Sequence, residues 1–71
     1  MRGLIEMGKL TTRIQDDRII ATLPRLPHIE IRPYTLSNWM DANMDTGGVP
    51  NCLYMVRNLH KCVAAYLKDN L

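Results

Sequence analysis

Asp41, Asn43 and Asp45 alternate in Asp-Ala-Asn-Met-Asp, the spacing with which the first oxygen ligands of a calcium loop converge. Such a loop also needs glycine at its sixth position and a bidentate glutamate at its twelfth. Thr46 and Cys52 stand there instead, so the set reads as a polar helix end. Zinc would have to draw on Cys52, Cys62, His28 and His60, yet no C-x-x-C or H-x₃-H spacing occurs. His60 and Cys62, two residues apart, would point in different directions on a helix. Neither a metal nor a cofactor is expected.

Nucleophilic catalysis requires an activated thiol or hydroxyl beside a base and a group that orients it. Cys52 falls near a predicted helix N-terminus, where an exposed thiol would ionise more readily. It also lies in the middle of an apolar stripe, and burial is the expectation. Asp16-Asp17 reads as turn chemistry, and Gly47-Gly48 alone makes no phosphate cradle. The chain is therefore expected not to be an enzyme.

The elements that must position these residues follow from period and punctuation. Met1–Lys9 is ambiguous: Leu4, Met7 and Leu10 would share a helical face, but Gly3 and Gly8 weaken so short a helix, and fraying is expected. Leu10 to Leu23 is rich in Thr and Ile around Asp16-Asp17, which predicts a hairpin, with a helix through Leu10, Ile14 and Asp17 as the alternative. Pro24 and Pro27 bracket a tight or extended link. His28-Ile29-Glu30-Ile31-Arg32 alternates with period two, a half-buried strand that Pro33 ends. Thr35 is placed to cap a first helix over 35–45, with Leu36, Trp39, Met40 and Met44 at helical spacing. Asp45-Thr46-Gly47-Gly48 breaks it, and Pro50 suits the opening turn of the next. A second, continuous helix is predicted over 49–70. Cys52, Val56, Leu59, Val63 and Tyr66 form its stripe, widened by Val49, Leu53, Cys62 and Leu67, with Arg57, Lys61, Lys68, Asn58 and Asp69 on the other side. The expected class is α+β: one small domain spanning 1–71, with an antiparallel hairpin or meander over 10–32 and two C-terminal helices.

Size and composition bound the function. Seventy-one residues allow one domain, and such a chain buries only about 60% of its unfolded surface. With no phenylalanine and one tryptophan, Leu, Ile, Val and Met must fill the core, and help from a partner is expected. The net charge of +2 is weak for a nucleic-acid module. No apolar run is long enough to span a membrane, and nothing reads as a signal peptide. Cys52 and Cys62 lie about 15 Å apart along an intact helix, too far for a disulfide, which points to reduced thiols and a cytoplasmic or otherwise reducing setting.

These features lead to a protein-binding or self-assembling subunit acting through Trp39, Val56, Leu59, Val63 and Tyr66. A small helix-turn-helix-like DNA-binding regulator stands second, offering Asn51, Tyr54, Arg57, Asn58 and Lys61 to groove and phosphates. An inhibitor that caps a host enzyme stands third. The stretch Pro33-Tyr-Thr-Leu-Ser-Asn-Trp39, then a turn, then Val56-Arg57-Asn58-Leu59 continuing to Tyr66-Leu67, resembles small phage tail and baseplate modules. There a Trp-bearing segment precedes a turn and an amphipathic assembly helix. The resemblance spans about half of the chain, rests on no invariant motif and implies a viral structural role, with the virion as the alternative to a cytoplasmic setting, without assigning a functional residue.

Overall fold

The computed structural model describes residues 7–71. The first part of the segment expected to fray, with Leu4, lies outside them. Within that segment Met7–Lys9 makes one tight turn, closed by Leu10 N–H donating to the Met7 carbonyl at 3.2 Å, and both Met7 and Leu10 are buried.

Strands β1 (Thr11–Gln15) and β2 (Arg18–Thr22) form the expected hairpin, with Gln15 opposite Arg18 and Ile14 opposite Ile19. The two-residue loop works because Asp16 and Asp17 both take positive φ, 50° and 62°. That is the twist a two-residue hairpin requires, and short polar side chains tolerate it better than most. An asparagine followed by a glycine would fit the loop better still. The double change D16N/D17G is expected to raise the urea midpoint, by roughly 0.5–1 kcal/mol of stability; a lower midpoint would contradict this account of the turn. Beyond β2, Leu23 and Leu26 exchange both backbone hydrogen bonds, at 3.0 and 3.2 Å, so Pro24-Arg25 turns the chain tightly into β3 (Ile29–Ile31). The sheet order is β1-β2-β3, antiparallel throughout.

Ile19, Ala21, Leu23 and Ile31 turn one sheet face into the core. The other face is polar at Arg13, Arg18 and Glu30, where Arg18 Nε lies 3.8 Å from Glu30 and His28 Nε2 lies 3.0 Å from it. Ile20, opposite Arg13 and Glu30 on that side, is buried as well.

The helices supply the rest of the core. Helix α1 spans Pro33–Asn43, not 35–45. Its cap is Arg32, whose carbonyl accepts from Leu36 N–H at 3.1 Å, and Thr35 sits exposed inside the first turn. The reason is Pro33: a proline that ends a strand is also preset for the first helical position, where no donor is needed. Leu36 and Met40 face inward. Gly47 and Gly48 carry the chain through positive φ to Pro50.

The segment expected to be one helix over 49–70 is two, α2 (Asn51–Arg57) and α3 (Leu59–Asn70), and Val49 lies before both. The break is Asn58, at φ −132° and ψ 40°. Its side-chain amide donates to the Tyr54 carbonyl at 3.3 Å, beside its own backbone N–H at 2.9 Å. An asparagine that bonds back one turn competes with helical geometry and bends the axis. The fold is α+β, with the three helices following the antiparallel sheet. No described helix is long and apolar enough to cross a membrane.

Candidate functional site

The break at Asn58 divides the predicted stripe. After it, Cys62, Val63 and Leu67 are buried against the sheet and α1. Val63 is fully buried, so it serves the interior of this chain and offers no surface to a partner. Tyr66 is half-buried and meets Trp39 edge-on, with ring centroids 5.6 Å apart. Trp39 Nε1 donates to Asp69 Oδ2 at 2.7 Å. Trp39 and Tyr66 therefore clamp α1 to α3 within the molecule.

Before the break the stripe faces outward. Met55 is the buried residue of α2, while Cys52, Leu53 and Val56 are exposed, Val56 at 67%. Burial was expected for Cys52; the structure corrects it, because the core touches α2 along Met55 and the half-buried Tyr54 instead. Beside Val56 opens a groove of about 170 Å³, lined by Ile14, Ile19, Pro33, Cys52, Met55, Val56 and Leu59. One wall is the hairpin, where Ile14 is 55% exposed beside the buried Ile19. The other wall is α2, and half-buried Leu59 follows the bend. Apart from the Cys52 thiol, no polar side chain lines the groove. It can hold an apolar group, and no base stands in it to activate the thiol.

Of the interface set, Val56 and Leu59 thus line a surface groove, whereas Trp39, Val63 and Tyr66 do internal packing. Ile14, Pro33 and Met55 were missed. Ile14 could have been suspected as an isoleucine on a short strand next to the hairpin turn.

The nucleic-acid set is dispersed. Asn51 Nδ2 donates to the Ser37 carbonyl at 3.1 Å and to Asp41 Oδ1 at 2.5 Å, tying α2 back to α1. Asn58 is used at the break, and Tyr54 is half-buried with Lys61 Nζ 5.9 Å from its ring centroid. Arg57 and Lys61 alone stay exposed. The two turns of α2 present no row of base-reading side chains.

No protein-family model, curated protein or solved structure matches this chain.

The Asp41, Asn43 and Asp45 side chains all make hydrogen bonds within the chain. Asn43 Nδ2 donates to the Trp39 carbonyl at 2.9 Å, and Asp45 Oδ1 accepts from Gly47 N–H at 2.8 Å. Among the described residues no three His, Cys, Asp or Glu side chains gather as metal ligands. Cys52 and Cys62 are both free, one exposed and one buried. Burial pushes the Cys62 thiol above its ordinary value, against a smaller pull from Lys61. Because the folded value is the higher one, its contribution to stability is fully present below the unfolded value and lost as pH rises through the folded one. A thiol reagent at neutral pH should therefore titrate one cysteine, Cys52, in native protein and the second only in denaturant. Two equally fast thiols would contradict the placement of Cys62.

Proposed function

We propose that the chain is a non-enzymatic assembly module that docks a protein through the groove between β1 and α2. The observation that carries this reading is the pair Ile14 and Val56, two branched apolar side chains left more than half exposed on facing walls of an apolar groove. Apolar surface gathered around a concavity favours a binding role over scattered exposure. The basis differs from the stripe read in the sequence. Asn58 turns the second half of that stripe inward, and only its first half, with Ile14 from a distant strand, is free for a partner. A role as a viral structural part, suggested by the likeness to phage tail and baseplate modules, is compatible with such a module and is proposed on that likeness alone.

The test is a photo-crosslinking residue at position 56, with one at position 68 on the exposed end of α3 as control, in the cell that makes the protein. Adducts should form from position 56 and not from 68. No adduct from position 56 would overturn the reading. If the captured protein were an enzyme whose activity falls on binding, the module would be an inhibitor.

A further inference from the structure

We propose that the outer face of the sheet is a second docking surface whose occupant is double-stranded DNA, held by its phosphates on Arg13, Arg18 and Arg32. This goes beyond the assembly reading and uses the opposite side of the sheet. Ile14 and Ile19 line the groove, and Arg13 and Arg18, one residue before each, point the other way. Continued by one step, the pairing of Ile19 with Ile31 sets Arg32 opposite Arg18, and the backbone there is still extended at φ −74° and ψ 137°. Gln15 lies opposite Arg18 on the other side, so Gln15, Arg18 and Arg32 form one rank across the sheet. Arg13 and Glu30 stand in the next rank, on either side of Ile20.

Charge selects the partner. Three guanidinium groups share this face with one carboxylate, a surplus as large as the +2 of the whole chain. Arg18 and Arg32 are like charges on neighbouring strands, which repel. Glu30 offsets only part of this, since its carboxylate lies 3.8 Å from Arg18 Nε and is shared with His28 Nε2 at 3.0 Å. Arg13 Nε donates to Gln15 Oε1 at 3.1 Å, and among the described residues neither Arg13 nor Arg32 forms an ion pair. A polyanion laid along the rank relieves the repulsion. The outward side chains of the three strands include no aromatic ring, and their one large apolar member, Ile20, is buried. That disfavours single strands, which need stacking platforms, and proteins, which need an exposed anchor. The width suits a duplex: three strands span about 10 Å, and the major groove of B-DNA is about 12 Å wide. Asp16 and Asp17 bound the face at the turn, so it takes about three phosphates and binds weakly, without regard to sequence.

Fluorescence anisotropy of the full chain with a labelled duplex of about twenty base pairs tests this. The wild type should bind with a Kd on the order of 10 μM at about 25 mM salt and lose about 40-fold by about 100 mM, as three phosphate contacts require. R13Q, R18Q and R32Q should each weaken binding and lower the slope of log K against log salt by about one. E30Q, which removes the one carboxylate of the face, should tighten binding several-fold. R57Q and K61Q remove the same charge from the exposed side of the helices and should leave the slope unchanged. Circular dichroism checks the fold of every variant, and a single strand of the same length should bind less tightly than the duplex. No binding at the lower salt, a single strand bound at least as tightly, or a slope lowered as much by the helix variants as by the sheet variants overturns the proposal.

Discussion

Val63→Asp is expected to abolish folding at 25 °C, while Val56→Asp, seven residues earlier on the same predicted stripe, changes the stability of the dilute monomer by no more than about 0.5 kcal/mol. Val63 is fully buried and Val56 is 67% exposed. A carboxylate at position 63 would enter an apolar interior with no buried polar partner nearby, which costs several kcal/mol whether it stays charged or takes up a proton. A domain of this length holds roughly 4–10 kcal/mol in all, so that loss alone is decisive. At position 56 the charge meets water. Circular dichroism and urea melting at low protein concentration read both outcomes. If the two variants were destabilised equally, Val56 and Val63 would face the same interior, and the break at Asn58 would be wrong.

Where the sequence could be read, local chemistry carried the information. Asp16-Asp17 signalled a turn because few residue pairs accept two positive φ values in succession, and the strand at Ile29–Ile31 showed its alternation within five residues. Trp39 reads as an interface residue from the sequence, since an aromatic side chain suits an interface as well as a core; its partners Tyr66 and Asp69 lie about thirty residues further on and are invisible to local pattern. The spacing of Cys52, Val56, Leu59, Val63 and Tyr66 is the same for a straight helix and for one bent in the middle. Periodicity tells which residues share a side, and not whether anything covers each half of it. The signal that was passed over is Asn58, a residue of modest helix propensity whose amide can bond back to the preceding turn. The groove was beyond reach for a similar reason. Its walls come from a strand and a helix almost forty residues apart, and the exposure of Ile14 depends on where the second helix lies.

Trp39→Ala should be the largest loss among the partly exposed positions, about 2–4 kcal/mol, a large share of what such a chain holds. Trp39 joins α1 to the last turn of α3 by two separable interactions. Edge-on packing against Tyr66 is worth about 0.5–1.5 kcal/mol beyond the area it covers. The indole N–H donates at 2.7 Å to Asp69, a bond to a carboxylate at the surface that should contribute about 1 kcal/mol. Trp39→Phe keeps a ring and removes the donor, and Asp69→Ala removes the acceptor alone. Each should cost about 1 kcal/mol or a little more, and the double variant should cost less than their sum, since the bond can be lost only once. Urea denaturation followed by circular dichroism measures all four proteins without relying on tryptophan emission. Strict additivity of the two single changes would mean that the bond holds nothing, and that α3 is fastened to α1 by apolar contact alone.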